Sequence, residues 1–464
     1  MKSNGRSKGK KRGDRAGLRL VTAHAAGIDC GSRAHYVAVG ADHGPEAVRR
    51  FGAVTPELHA LADWLKSCAI ETVAMESTGV YWIALYEILE EHGFEVVLVN
   101  AHHVKHVPGR KSDVQDCQWL QELHSFGLLR GSFRPSAEIV GLRAYLRHRE
   151  KLVQNAGDHV RRMQKVLLEM NLQLHTVLSD ITGLTGMRII RDIVAGQTDP
   201  KVLAGYRHGR CQATEAEIEA SLTGNYRPEH VFVLRQHLAL FDAYQGQIGE
   251  CDEALDSELK RLAAQQDDPS QALPKARTPY RTQGNAPRFD SRALLHQITG
   301  ADLTQIDSIG SYTALRLVSE VGTDMSRWPT EKHFVSWMCL SPSNKVSGDR
   351  ILSSRTRPST NRAATQLRLC AVSVGRTQSA LGAYYRRLAY RVGKAKAVTA
   401  TARKLAILVY RVLRGDFNYR DPGAETYDAQ HRARAVRSLR ARAQRLGFNL
   451  FDAETGELLE PVVS

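Results

Sequence analysis

Between Ala25 and Gly127 the chain runs through three short β-type segments in succession and then alternates helix with strand. Few folds accept that order. AAGIDCGSRAHYVAVGAD reads as a hairpin, with Ile28, Tyr36, Val37 and Val39 as strand formers and Cys30-Gly31-Ser32-Arg33 as the turn. RRFGAVT is a third short strand. PELHALADWLKSCA spaces its apolar residues as an amphipathic helix, with Thr55 as N-cap and Pro56 at the first helical position. TVAMES, VYWIALYEILEEHG and EVVLVN follow as strand, helix and strand. A basic loop then leads into a helix that starts at the Asp113/Asp116 pair and ends near Gly127.

This is the order of a ribonuclease H-like sheet, and it fixes where four acids fall. Asp29 lies on the first strand just before its turn, and Glu76 ends the fourth. Ligands of open α/β sheets bind at strand ends, and parallel pairing of these two strands would bring both acids together. Asp113 and Asp116, three residues apart, share one face of a helix that can pack beside that edge. Four carboxylates in one place repel by several kcal/mol unless a cation sits among them. Hard oxygen donors suit Mg²⁺ or Mn²⁺, and two such ions about 4 Å apart can clamp the attacking and leaving oxygens of a phosphodiester. Taken singly, each acid has a plainer explanation, since aspartate near a helix N-terminus complements the dipole. The ordered set on this strand pattern is more specific.

The stretches GIDCGSRAHYVAV, AMESTGVYW, VPGRKSDVQDCQWLQELHSFGLLRGSFRP, KLVQ and SDITGLTG resemble the DEDD transposases of bacterial insertion sequences, the "IS one-ten" family of bridge-RNA-guided recombinases. The likeness covers most of residues 25–205 and is densest over 104–135. It implies that Asp29, Glu76, Asp113 and Asp116 form the catalytic, metal-holding tetrad of a RuvC-like domain of ribonuclease H fold. Of AHHVKH, it implies a loop in which His103 and His106, with Arg110 and Lys111 beyond them, contact phosphate or RNA.

Charge agrees with a polyanionic partner: the 464 residues carry a net +15 and a pI near 9.6. The first twenty residues are strongly basic and cannot bury a core, so a disordered tail is expected there, either gripping phosphates or only solvating the chain. No apolar run approaches the roughly 18 residues of a membrane span, and no signal-peptide pattern is visible. The seven cysteines lack any CxxC pair, which fits reduced thiols of a bacterial cytoplasmic protein. A Walker A motif and HExxH are both missing from the sequence.

From Ile139 the apolar positions run Leu142, Leu146, Val153, Ala156, Val160, Met163, Leu167, Met170, Leu174 and Val177, a heptad-like stripe broken by Arg149. Leu234, Leu238, Phe241, Ile248, Leu255, Leu259 and Leu262 repeat it, with polar Gln245 and Asp252 in the gaps. Two such helices predict a coiled coil, folded back as a hairpin or paired with another protomer in a dimer or tetramer.

Residues 265–292 read as a linker rich in Pro, Gln and Arg. Beyond it, ITGADLTQIDSIGSYTALRLVSEVG resembles a helix–hairpin–helix whose Ile309-Gly310 turn can grip phosphate; the family's second glycine is replaced by Ser308. In WMCLSPSNKVSGDRILSS, Cys339 stands for the first glycine of the family's GLxP segment, and Ser347-Gly348 follows Pro342 at the family's distance. The resemblance implies that Ser347 is the nucleophile, in cis or from another protomer, with Ser353 and Ser354 as decoys. Lys345, Arg350, Arg355, Arg357 and Arg362 surround it and suit DNA phosphates.

The expected architecture is α/β plus α: a basic tail (1–24), a RuvC-like domain (25–135), a coiled-coil region (136–264), a linker (265–292), a mostly helical transposase domain (293–420) and a basic helical tail (421–464). The expected function is DNA excision and insertion, with DNA and a structured non-coding bridge RNA as partners. Two alternatives stay open at this point: a RuvC-like Holliday-junction resolvase or nuclease using metal and water alone, and a non-catalytic nucleic-acid-binding protein.

Overall fold

The computed structural model describes residues 19–43, 45–77, 79–100, 112–266, 272–277 and 284–451, with 453 and 456. The chain divides into two compact units between Arg134 and Pro135.

The first unit is a five-stranded mixed sheet with strands β1 (Ala25–Cys30), β2 (Ala34–Ala38), β3 (Val48–Gly52), β4 (Thr72–Glu76) and β5 (Glu95–Val99), in the order β3-β2-β1-β4-β5. β1 pairs antiparallel with β2, and β2 with β3. β4 lies parallel to both β1 and β5, because helix α1 (Thr55–Ser67) and helix α2 (Trp82–Glu91) provide the crossovers that parallel strands need. This five-stranded order is consistent with a RuvC-like fold. Side chains alternate across a strand. Ala26, Ile28, Val73 and Met75 therefore enter one core with Leu58, Leu61, Leu65, Leu85 and Leu89 of the crossover helices. The opposite face, through Ala74 and Val99, meets Leu120 of helix α3 (Asp113–Ser125).

One boundary differs from the sequence reading. Thr55 is already helical, and Val54 is the N-cap of α1, with no side-chain cap. Pro56, with its fixed φ, carries the helix start without a hydroxyl cap.

The second unit is almost wholly helical. Helices α4 (Ala137–Glu169) and α9 (Pro228–Ala264) dominate it. Between them come α5 (Leu174–Val177), α6 (Leu184–Ala195), α7 (Pro200–Ala204) and α8 (Glu215–Leu222). The two long helices run antiparallel: Arg149 meets Asp252, Asn155 meets Tyr244 and His159 meets His237. Their apolar stripes from Leu152 to Leu167 and from Leu234 to Ile248, with Ile189, Ile190 and Ile193 of α6, form one core. The stripes are thus buried within a single chain, and no second protomer is needed to cover them.

The chain continues through α10 (Arg292–Thr299), a 3₁₀ turn (Leu303–Gln305), α11 (Ser311–Val321) and α12 (Glu331–Trp337). A two-stranded hairpin follows, β6 (Lys345–Ser347) and β7 (Arg350–Ser353). Helices α13 (Arg362–Val374), α14 (Ala380–Val392), α15 (Lys394–Leu413) and α16 (Ala424–Arg445) complete it. Among the described residues, no helix is long and apolar enough to cross a membrane.

Candidate active site

The acids of the first unit are positioned by a contact that involves no side chain on the sheet. Gly27 lies on the β1 face that receives α3. A β-carbon there would stand 2.2 Å from the Gln121 nitrogen and 2.4 Å from the Cys117 oxygen, both backbone atoms. Only glycine allows α3 to rest on β1 this closely. Gln121 Nε2 bonds the Ala25 carbonyl (3.4 Å), and Thr72 Oγ1 meets His124 Nε2 (2.9 Å), so the helix is anchored along its length to β1 and β4.

Asp29 is two residues beyond Gly27 and therefore on the same face. Ile28 is in register with Met75 across the parallel pair, which makes Asp29 and Glu76 neighbours one step further along. Glu76 is buried and Asp29 half-buried. Asp116 is half-buried in the first turn of α3, and Asp113, the first helical residue, is exposed. The Ser112 hydroxyl caps this helix by accepting from the Gln115 amide.

Two buried thiols report how close the charges are. Burial first, then the carboxylates of Asp29 and Glu76, pushes the Cys30 thiol upward. Burial and then Asp29, with a smaller push from Asp116, takes Cys117 up to about 12. Asp29 and Glu76 thus both bear on Cys30, and Asp29 and Asp116 both bear on Cys117. The donor chemistry fits a hard divalent cation: the charged groups are carboxylates, and the adjacent sulfurs stay protonated and neutral. Among the described residues, no group of three or more His, Cys, Asp or Glu is placed to hold a metal ion. His103, His106, Arg110 and Lys111 lie outside the described residues.

In the second unit, Ser347 ends β6 directly opposite Arg350, across a two-residue turn of Gly348 and Asp349. Gly348 has φ +56°, and glycine at the first central position is what a type II′ hairpin requires. Lys345, Ser347, Arg350 and Arg355 are all exposed. An open cavity of about 490 Å³ lies alongside, lined in part by Lys345, Ser353, Arg355 and Arg357. Ser353 accepts a bond from the Arg355 amide (3.4 Å). Arg357 is tied to the Ser336 carbonyl (2.9 Å), and Arg362 pairs with Glu150 (3.1 Å). These last two cations already have partners inside the chain.

The two departures from the family's glycines fall on special backbone. Ser308 has φ +66° and Cys339 φ +54°, so both positions keep the left-handed conformation that glycine adopts freely. Gly310 is the N-cap of α11.

A family model for the IS110 DEDD transposase matches residues 26–172, which include all four acids. A second, described as transposase of the IS116/IS110/IS902 family, matches residues 300–386, which include the Ser347 hairpin. No curated protein matches the chain. An acid-edged α/β unit followed by a helical unit, both matched as transposase, defines a DNA transposase. The chain belongs to the IS110 family.

Proposed function

We propose that the chain excises and inserts its own insertion sequence, with Asp29, Glu76, Asp113 and Asp116 holding Mg²⁺ or Mn²⁺ at the scissile phosphate and Ser347 as nucleophile. The observation that supports this most is the parallel register that makes Asp29 and Glu76 neighbours, with Asp116 in the first turn of the helix seated on that sheet, within a segment matched as transposase. A divalent cation bound there stabilises the charge that builds on phosphate oxygens. The carboxylates hold it from the ends of β1 and β4 and the first turn of α3. Ser347 Oγ loses its proton and forms a bond to phosphorus. The bridging deoxyribose oxygen leaves with the electrons of its P–O bond and takes up a proton. The serine ester conserves the bond energy, so attack by a strand hydroxyl rejoins DNA and restores Ser347 without ATP. Lys345, Arg350 and Arg355, exposed around the hairpin, contact DNA phosphates. Sequence choice rests on an element-encoded bridge RNA that pairs with donor and target DNA, carried by a homo-oligomer.

The test is to trap the covalent adduct on element-end DNA with Mg²⁺. Wild type should form a Ser–DNA ester that vanishes on chelation. Ser347→Ala should bind DNA with unchanged salt dependence yet form no adduct, while Ser353→Ala and Ser354→Ala keep activity. Cleaved DNA from Ser347→Ala at a rate near wild type overturns the serine mechanism and leaves a nuclease using metal and water. RNA from the flanking element should copurify with the chain; loss of activity on RNase treatment tests the guide.

A further inference from the structure

Helix α14 packs against both α15 and α16, and the three carry fourteen Lys and Arg residues against two acids, Glu425 and Asp428. Such an excess on three packed helices is self-repelling. Helix α16 buries no residue of its own, so apolar burial is not what this surface serves.

The charges cluster at one place. Arg387 stacks 4.7 Å over the Tyr427 ring and donates to its hydroxyl. Lys404 sits 4.6 Å over Tyr384, which meets Tyr427 edge-on. Burial, followed by the charges of Arg434 and Arg387, holds the Lys404 ammonium below its ordinary value, so these cations feel one another. Nη1 of Arg387 and Nε of Arg403, and further along α16 Nε and Nη2 of Arg440, are shielded from solvent with no hydrogen-bond acceptor among the described residues. Among the described residues, none of Arg387, Arg403, Lys404, Arg434 and Arg440 forms an ion pair; Arg411, on the same helix as Arg403, does, with Glu331. A guanidinium N–H withdrawn from water without an acceptor is costly. Several together call for an anionic ligand with oxygens on many sides.

We infer that the junction of α14, α15 and α16 is a phosphate-backbone site for nucleic acid, gripped by Arg387, Arg403, Lys404 and Arg434 and separate from the Ser347 hairpin. The inference rests on the transposase reading for its ligand class. Guanidinium forks match phosphate oxygens in pairs, and phosphodiester is the polyanion a transposase handles.

The experiment measures binding of the full chain to duplex DNA and, separately, to single-stranded RNA across a salt series. The variants are Arg403→Gln alone and Arg403→Gln with Arg434→Gln. Removing one cation from the phosphate backbone should lower the salt slope by about 0.9 on duplex or about 0.7 on a single strand. The double variant should lower it by twice that on whichever probe the site holds, and Arg403→Lys with Arg434→Lys should keep the slope. Without nucleic acid, the Gln variants should melt no lower than wild type, because they remove unneutralised charge. An unchanged slope on both probes, or lower melting with an unchanged slope, overturns the site and makes the guanidiniums structural. Strand cleavage by wild type is scored separately. A slope change without cleavage upholds this site and rejects the strand-transfer reading; cleavage without a slope change does the reverse.

Discussion

Arg149 and Asp252, two polar interruptions in the apolar stripes of α4 and α9, meet each other in the seam between them. Arg149 Nε lies 2.5 Å from Asp252 Oδ1, and both residues are buried (1% and 4% exposed). The remaining valences are used as well. Arg149 Nη1 donates to the Asn285 carbonyl at 2.9 Å, and Asp252 Oδ2 accepts from the Arg288 amide at 3.2 Å. One pair therefore sets the register of two long helices and fastens the segment that follows them. A slip of one helical turn, about 5.4 Å, would strand both charges in an apolar seam.

Replacing one partner should therefore be much worse than replacing both. Arg149→Met leaves a buried carboxylate unpaired and should cost about 3–5 kcal/mol in denaturant unfolding. Arg149→Met with Asp252→Leu should recover most of that. A double variant as unstable as the single would mean that the loss comes from packing rather than from charge.

Gly27→Ala forces a methyl against backbone atoms of Gln121 and Cys117 that cannot rotate away. The expected cost is about 1–3 kcal/mol from overpacking, with loss of strand transfer as α3 is pushed off β1. Gly246→Ala is the control: it is exposed inside α9 with nothing near its missing β-carbon, and it should stabilise by about 0.5–1 kcal/mol. Full activity in Gly27→Ala would show that the acids tolerate displacement of α3.

Metal linkage tests the carboxylates without any reaction. If Asp29, Glu76 and Asp116 hold a divalent ion, saturating Mg²⁺ should stabilise the chain, by about 2.7 kcal/mol at a hundred times Kd. Asp116→Asn should reduce that gain. Equal Mg²⁺-induced melting shifts in wild type and variant would remove Asp116 from the ligand set.

Ser308→Gly and Cys339→Gly should each stabilise. A side chain in the left-handed region costs about 1–2 kcal/mol, and glycine gives back about 0.4–1 kcal/mol through the entropy of the unfolded chain. The net gain expected in thermal or denaturant melts is about 0.5–1 kcal/mol per site. Destabilisation by either change would mean that the side chain supplies contacts worth more than the strain.

A histidine pair in the same seam makes stability depend on pH. His159 Nδ1 and His237 Nδ1 are 3.3 Å apart, so one ring must donate and the other accept. Burial first, then Arg162, lowers His159, with Asp158 opposing; burial first, then His159 and Arg162, lowers His237. A lowered folded value means that the unfolded chain binds protons first. The contribution is intact above the unfolded value near 6.5 and shrinks as pH falls below it, by at most about 1.4 kcal/mol per pH unit for each excluded proton. Wild-type melting should drop between neutral and mildly acidic pH, and His237→Gln should flatten that drop. Parallel curves would place the pH dependence elsewhere.

The strands and crossover helices are legible in the sequence because short β-branched runs and 3.6-residue spacing leave few readings of 25–127. The acids are legible as types in an order, and their neighbourhood follows from parallel pairing. Other features are not legible. Periodicity marks Arg149 and Asp252 as faults in two stripes, but nothing local says that residues 103 positions apart neutralise each other. Gly27 is silent in charge and periodicity, although a glycine inside a strand is itself a signal of close backbone approach. For Arg357 and Arg362, charge alone does not reveal that the chain supplies a carbonyl to one and a carboxylate to the other.

The bare face at Gly27 has a consequence for how this chain tolerates change. Helices held on sheets by interlocking side chains can shift when those side chains are exchanged, and the seat drifts with the sequence. Here the spacing between sheet and helix is measured backbone to backbone, like parts butted together without a shim. The outward residues of α3 are then free to vary while the depth at which Asp116 stands relative to Asp29 stays constant, and the addition of a methyl group at Gly27 of β1 resets the gauge.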